Sequence, residues 1–270
     1  MLTILNSISS LNAENALGLT QANLQKSLTQ LSSGLRINTG SDDAAGLSIA
    51  NGLQANISAL TQSSQNASDG IGLLQTADGA MSQVTTLLNR AVTLATEASN
   101  GGLSTSQSTA LDTEYQSILT EIGNINTATN FNGAAIFGAT ATSYLTDGTT
   151  GGANTFSTSV TAVDAATLLL KGDLKTSATA QTELAAITAA ISTVAADRGA
   201  VGASVNQLQA SQNVVNTEVT NLQSAANSIQ NADIGKTVAN MTQYNVLQQT
   251  GMAALSQSNQ AQQSVLKLLQ

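Results

Sequence analysis

Two features of the sequence constrain the fold most: proline is absent, and apolar residues recur with helical spacing. Without proline, no position in the 270 residues forbids a long continuous helix. From Leu184 to Ile229, apolar residues follow alternating steps of three and four, the spacing of a coiled-coil seam. Arg198, Gln212 and Ala226 interrupt this seam, and polar residues at such positions usually fix register or partner. The C-terminal half therefore predicts one long helix.

The N-terminal half shows the same spacing, broken by glycine-containing turns. We predict a first helix over 3–33, a non-helical elbow near 34–46 and a second helix over 43–99. Ser104 follows an Asn-Gly-Gly stop and is placed to cap a third helix that ends near Ala128. These elements would form part of a helical bundle.

The middle of the chain has a different composition. Residues 130–176 are rich in Gly, Thr, Ser and Asn, which predicts short β-hairpins or a loop. Helical spacing returns over 234–270. The expected fold is mainly α, a long antiparallel coiled-coil-like helical rod with a small β-hairpin and loop region in its middle.

Composition excludes several classes of function. The chain has no His and no Cys, so it can build no Ser-His-Asp or Cys-His nucleophile and no Cys/His zinc or haem site. We therefore expect no enzyme activity, no metal and no cofactor. Sixteen acidic residues against eight basic ones, with 2% aromatics, argue against nucleic-acid binding. We see no secretory signal peptide and no run of ~18 apolar residues, so we expect no membrane insertion.

The low charge of the chain bears on how its surface is used. Charged residues make up 9% of the sequence, where globular proteins average ~25%. Uncharged polar surface can be buried between subunits without the desolvation cost of unpaired ions. The composition thus suits repeated subunit packing, although a self-contained bundle with a surface low in charge remains an alternative.

Specific sequence strings resemble those of the bacterial flagellin family. The N-terminal strings 31–38 and 42–50 resemble the family's N-terminal signature. Residues 130–133 resemble the turn after the family's third core helix. Residues 231–233 and 246–251 resemble its C-terminal signature, and residues 265–270 resemble its leucine-rich terminus. The resemblance covers roughly 1–138 and 178–270.

The resemblance implies a domain organisation and a function. It implies an N-terminal core-helix segment with elbow over 1–42 and a C-terminal core helix over 231–270. Between them, the two parts of an outer-tube helical domain, 43–138 and 178–230, flank a reduced variable β-hairpin and loop region over 139–177. The function would be that of a structural subunit of the extracellular flagellar filament, which serves swimming motility. Export of the unfolded chain by the flagellar type III apparatus would explain an extracellular location without a signal peptide.

The resemblance also implies partners. These are further copies of the chain in a homopolymer, a flagellin export chaperone, and the filament cap and hook-filament junction proteins. Recognition by Toll-like receptor 5 is a further expectation. The alternatives are a hook-filament junction protein or a secreted coiled-coil adhesin.

Two sets of residues are candidate sites by this resemblance. The first is a patch for subunit packing and receptor recognition: Leu88, Asn89, Arg90, Leu94, Glu97, Leu111 and Glu114. The competing interpretation makes Leu88 and Leu94 bundle core and Arg90 a solvated charge. The second set lies on the terminal core helices: Leu24, Leu28, Leu31, Leu35, Val238, Met241, Leu255, Leu266, Leu268 and Leu269.

Further charged positions are predicted to have structural roles. Asp42 and Asp43 precede the second helix and would complement its N-terminal dipole. Arg36 and Arg198 are placed to pair with carboxylates that the sequence does not identify.

Overall fold

A computed structural model describes residues 8–146 and 153–268 of the chain. Within these residues the fold is mainly α, as predicted. The helices are α1 Ile8–Ser33, α2 Ala44–Ala98, α3 Thr105–Ala128, α4 Ser177–Gln230 and α5 Ile234–Leu268. The strands are β1 Asn130–Phe131, β2 Ala134–Ala135, β3 Thr140–Thr146 and β4 Ala153–Ser159.

Local side chains explain where the helices begin and end. The Ser104 hydroxyl accepts a hydrogen bond from the Gln107 amide, and the Gln107 side chain accepts one from the Ser104 amide, forming a capping box at the start of α3. Asp43 Oδ1 accepts a hydrogen bond of 2.8 Å from the Gly46 amide at the start of α2. α1 ends before Gly34, whose φ of 72° is the left-handed geometry of a glycine cap.

The two hairpins in the middle of the chain confirm the predicted strands. Strands β1 and β2 are antiparallel and joined by Asn132 and Gly133, with φ of 51° and 79°. Two positive φ values define the type I′ turn that matches strand twist, and Asn-Gly is its preferred sequence. Strands β3 and β4 pair antiparallel from Thr140↔Ser159 to Thr146↔Ala153.

The chain divides into two compact units. We call Met1–Ala55 with Asn221–Gln270 the terminal unit, and Asn56–Thr220 the central unit. The central unit holds a continuous apolar core. Its two long helices bury residues at seven-residue steps, on α2 at Leu60, Ala67, Leu74, Met81, Leu88 and Ala95, and on α4 at Ile187, Val194, Val201 and Leu208.

The segment between β4 and α4 closes this core. It contributes apolar side chains that are almost fully buried: Val160, Val163, Leu168, Leu170 and Leu174. These residues lie in the part of the chain with loop-like composition. Their burial makes this segment part of the apolar core of the central unit.

By length and composition, α4 is long and apolar enough to cross a membrane. Its apolar residues have another role in the structure, because Ile187, Val194, Val201 and Leu208 are buried in the core of the central unit. The same apolar stripe that satisfies a hydropathy test is therefore the packing face of a bundle helix.

The terminal unit is built on the antiparallel pair α1 and α5. Ser10 Oγ lies 3.0 Å from Ser258 Oγ, and a Cβ at Gly251 would lie 3.4 Å from Leu17 Cδ1. The later residue of α1, Leu17, meets the earlier residue of α5, Gly251, as antiparallel pairing requires.

The elbow after α1 is tied to the chain between α4 and α5. The Arg36 amide donates to the Gln230 carbonyl at 2.6 Å, and the Ala232 amide donates to the Gly34 carbonyl at 2.9 Å. Arg36 Nη2 also donates to the Ile229 carbonyl at 2.8 Å. Arg36 therefore caps the C-terminus of α4 instead of pairing with a carboxylate.

Candidate subunit-packing surfaces

The seam between α1 and α5 is formed mostly of small and polar side chains. Buried or half-buried residues recur along α1 in alternating steps of three and four, at Ser10, Ala13, Leu17, Thr20, Leu24, Ser27 and Leu31, and Gln30 is also half-buried. The same spacing on α5 gives Thr237, Met241, Tyr244, Gln248, Gly251, Leu255 and Ser258, and Asn240 and Asn245 are also half-buried. Such a seam fixes register, but it removes little apolar area from water.

The predicted residues of the terminal helices divide between this seam and the open surface. Leu24, Leu31, Met241 and Leu255 are half-buried on the seam. Leu35 is also half-buried, but it lies beyond the end of α1, in an isolated β-bridge with Asn231, and not on a terminal helix as predicted. Leu28 and Val238 are 43% and 39% exposed and face away from the seam. Leu266 and Leu268 belong to α5, but their side chains lie outside the described residues, as does Leu269 altogether.

Large apolar side chains are concentrated on the open surface of the terminal unit. Of the twelve that are exposed among the described residues, ten belong to this unit. They are Ile8, Leu11, Leu19, Leu28, Ile49, Ile234, Val238, Val246, Leu247 and Met252. By contrast, the buried apolar residues of the same unit are Ile37, Ala50 and Ala226. Large apolar groups exposed in such numbers make this unit a candidate surface for protein–protein contact.

Charge does not oppose burial of this surface. Among the described residues, α1 carries only Glu14 and Lys26, and α5 carries only Lys236 and Lys267. Few ions would have to lose water when another molecule packs on these helices. The surface is therefore suited to association over a large area.

The second candidate site contains an ion pair between α2 and α3. Arg90 Nε and Nη2 lie 2.8 Å and 2.7 Å from Glu114 Oε1. Both side chains are about half exposed. Both contacts go to the same carboxylate oxygen of Glu114.

The other residues of this patch have different environments. Leu88 and Leu94 are buried in the core, which places them behind the surface and not on it. Asn89 and Glu97 are exposed on α2, and Leu111 is half-buried on α3. A partner approaching here would meet polar and charged groups supported from beneath by leucines.

A buried polar network was missed by the sequence analysis. Tyr115 Oη donates to Glu183 Oε1 at 2.5 Å, and the Gly172 amide donates to Glu183 Oε2 at 3.0 Å. Asp112 Oδ1 accepts from the Leu174 amide at 3.0 Å. Burial and the neighbouring Glu183 carboxylate raise the pKa of the Tyr115 hydroxyl far above its usual value.

These two carboxylates attach the 172–174 segment to α3 and α4 through its main chain. A signal for this role is present in the sequence, because Glu183 is the only charged residue between Lys175 and Asp197. An isolated carboxylate beside an apolar seam indicates a buried partner. The sequence alone does not identify that partner.

The elbow contains the two adjacent carboxylates, which have separate roles. Asp43 caps α2, whereas Asp42 Oδ1 pairs with Lys26 Nζ at 2.7 Å. Asp42 Oδ2 also accepts from the amides of Asn38 and Thr39. These contacts lower the pKa of Asp42 from 3.8 to about 2, and the Lys26 ammonium has a larger effect than the two amides.

No group of three acidic side chains is placed to hold a metal ion in residues 8–146 and 153–268. The carboxylates at Asp42, Asp112 and Glu183 are instead used by main-chain amides and by Lys26 or Tyr115. Their arrangement is structural.

Comparisons with known proteins agree with this architecture. Residues 4–142 match the family model of the bacterial flagellin N-terminal helical region, and residues 184–269 match that of the C-terminal helical region. A flagellin of Halalkalibacterium halodurans is 34% identical over 98% of both chains. A flagellin of Serratia marcescens is 45% identical over 47% of this chain and 36% of its own length.

A solved structure is also similar. The crystal structure of Bacillus cereus flagellin aligns with a TM-score of 0.50 at 30% sequence identity, covering 60% of this chain and 94% of that one. The similarity therefore extends from sequence to fold.

Proposed function

This chain belongs to the bacterial flagellin family, and we propose that α1 and α5 carry the contacts through which it polymerises. As a flagellin it is a structural subunit of the flagellar filament, which lies outside the cell, and it is not an enzyme. It assembles with further copies of itself. Family membership does not by itself identify which surfaces of this chain contact the neighbouring copies.

The observation that carries the proposal is the imbalance within the terminal unit. Among the described residues of this unit, ten large apolar side chains are exposed, nine of them on α1 and α5, and three apolar side chains are buried. Burying one such side chain contributes roughly 1.5–3 kcal/mol. The helix pair therefore has more to gain from a neighbouring subunit than from its own seam, and subunit contact would stabilise it.

Export and further partners follow as part of the same proposal. A chain whose terminal helices are stabilised mainly by neighbours is suited to export in the unfolded state by the flagellar type III apparatus. A flagellin export chaperone would shield the apolar residues of α5 before secretion. At the filament ends, the cap and hook-filament junction proteins would meet the same helices, and the assembled filament would serve swimming motility.

Receptor recognition is the last element of the proposal. The exposed Arg90–Glu114 pair with Asn89 and Glu97 forms a polar patch on the central unit. The Arg90 guanidinium offers a planar set of donors suited to a protein interface. We propose that this patch takes part in subunit packing and in recognition by Toll-like receptor 5.

The test is assembly of purified monomer after addition of salt or filament seeds, followed by light scattering and electron microscopy. The full chain should form long filaments, and a truncation lacking 234–270 should not. Because the truncation also removes the partner of α1, a second variant, Leu247→Gln, changes one exposed side chain of α5. It should raise the concentration needed for assembly, whereas the control Gln243→Ala should not. Normal assembly of both the truncation and Leu247→Gln would contradict the proposal.

A further inference from the structure

Glu14 on α1 and Lys236 on α5 have no ionic partner in the described part of the chain. Both residues are exposed, and neither belongs to an ion pair among residues 8–146 and 153–268. Lys236 stands in the first turn of α5, where the positive end of the helix dipole disfavours a cation. The other charged side chains described in the terminal unit are occupied, Lys26 by Asp42, Arg36 by the Ile229 carbonyl, Asp43 by the Gly46 amide and Asp233 by the Lys236 amide. Within these residues, Glu14 and Lys236 are therefore two unpaired charges of opposite sign.

These two charges lie on opposite sides of the α1–α5 pair. Glu14 directly follows the seam residue Ala13, whereas Lys236 directly precedes the seam residue Thr237. Ala13 and Thr237 are equivalent seam positions, because the next seam residue follows each of them after four residues. One residue turns a helix by about 100°, so Glu14 and Lys236 are rotated away from the seam in opposite senses. In an antiparallel pair, opposite rotations on the two helices point to opposite sides.

The two charges are also far apart along the helices. Ser10 Oγ of α1 lies 3.0 Å from Ser258 Oγ of α5, and the two helices run antiparallel. Lys236, about 22 residues before Ser258, is therefore level with a point about 22 residues after Ser10, at the end of α1. That point is about 18 residues beyond Glu14, a distance of about 27 Å at a rise of ~1.5 Å per residue. Ion pairs form within ~4 Å, so these charges do not meet within one chain.

Assembly through α1 and α5 would bury both charges. An ion removed from water without a partner costs free energy, and a matched, hydrogen-bonded partner offsets that cost. Of the charges described in the terminal unit, only these two need such a partner, and each has the sign that the other requires. Two copies that stand side by side in the same orientation face each other with opposite sides. Such copies bring Glu14 of one towards Lys236 of the other.

We propose that Glu14 of one subunit forms an ion pair with Lys236 of a second copy of this chain, which lies beside it and is shifted by about 27 Å along the helices. The inference rests on the assembly through α1 and α5 proposed above. Because the two charges lie on different sides of one molecule, the contact is head to tail, and each copy gives Glu14 to one neighbour and Lys236 to another. Apolar contacts are not directional, so this ion pair is what sets the axial offset between the two copies.

Charge reversal tests the ion pair. Glu14→Lys brings two ammonium groups together at the contact, and Lys236→Glu brings two carboxylates together. Each single variant should raise the critical concentration for seeded assembly by about tenfold or more, because like charges then meet. The double variant Glu14→Lys with Lys236→Glu restores opposite charges and should assemble near the unmodified critical concentration. An equimolar mixture of the two single variants should do the same, since each offers the charge that the other lacks.

Two controls separate this contact from effects on folding and on net charge. Glutamate and lysine have similar helix propensities, so the melting temperature of the Glu14→Lys monomer should match that of the unmodified monomer. Lys236→Glu removes a cation that the helix dipole disfavours and should keep or raise the melting temperature. Lys171→Glu makes the same charge change at an exposed position of the central unit and should leave the critical concentration unchanged.

Single variants that assemble at the unmodified critical concentration would overturn the ion pair. A double variant or an equimolar mixture that stays as impaired as the single variants would overturn it as well. Failure of the unmodified chain to polymerise would instead overturn the assembly on which the inference rests. The unmodified chain alone therefore distinguishes the two failures.

Discussion

Arg198 on α4 holds Asp78 on α2 with two nitrogen atoms. Arg198 Nε lies 2.7 Å from Asp78 Oδ1, and Nη2 lies 3.3 Å from Oδ2. Arg198 is one of the positions that interrupt the apolar seam of α4. A planar guanidinium matched to a carboxylate is sensitive to orientation. The pair therefore joins the two longest helices at one register.

Arg198→Lys should weaken the central unit because lysine keeps the charge and loses the fork. Since both side chains are partly exposed, we expect a loss of about 0.5–1 kcal/mol in the free energy of unfolding. Urea denaturation of the monomer measures it. Lys171→Gln removes a charge that has no ion partner among the described residues and should change nothing. Equal stabilities for both variants would contradict this account of the pair.

Glu183→Ala should destabilise the chain more strongly. It removes the acceptor of the buried Tyr115 hydroxyl and of the Gly172 amide. Leaving a buried donor unsatisfied costs about 1–3 kcal/mol. Denaturant titration should show a loss in that range, while Glu97→Ala, which changes an exposed carboxylate, should stay within about 0.5 kcal/mol. A loss as small as that of Glu97→Ala would rule out the structural role of the network.

The pH dependence of stability should contain a contribution from Asp42. Its pKa is lower in the folded chain than the ordinary value of 3.8, so the folded state favours the ionised form. The contribution is complete above about pH 4 and is lost as the pH falls through about 2. Asp42→Asn should flatten the stability profile of the monomer in this window. Parallel profiles for the variant and the unmodified chain at pH 5, 3 and 2 would refute the assignment.

Gly133→Ala and Gly79→Ala should have opposite effects. Gly133 has a φ of 79° in the turn between β1 and β2, where alanine is strained by roughly 1 kcal/mol. Gly79 lies inside α2, and a Cβ there meets nothing within 4 Å, so alanine should stabilise the helix by about 0.5–1 kcal/mol. Thermal unfolding of the two variants gives the sign directly. A shift in the same direction for both would show that backbone conformation does not decide the outcome.

Arg90→Ala should weaken recognition by Toll-like receptor 5 if the exposed pair with Glu114 contacts the receptor. The change removes the donors of that pair but leaves the buried Leu88 and Leu94 in place. A reporter-cell titration with monomer should shift to higher concentration, by about tenfold for one lost charged contact. Lys171→Ala, which removes the same charge elsewhere on the central unit, should signal normally. An unchanged titration for Arg90→Ala would exclude the patch.

The sequence by itself determined the features that depend on neighbouring residues. The capping box at Ser104 and the turn at Asn132-Gly133 involve atoms within a few residues, so their chemistry can be read directly from the chain. The seven-residue spacing on α4 likewise identified the buried stripe, because helix geometry alone places those residues on one face. The mainly α fold follows from these local rules.

Only the tertiary structure decided which distant residues meet. Asp78 and Arg198 are 120 residues apart, and Tyr115 and Glu183 are 68 apart. Leu28 and Leu31 lie on the same predicted helix, yet Leu31 is half-buried and Leu28 faces outward. Spacing gives the direction of a side chain relative to its own helix, but not the position of the neighbouring helix. That position is set by the packing of the whole unit, which therefore chooses the partner of each isolated charge and the apolar surface left for another subunit.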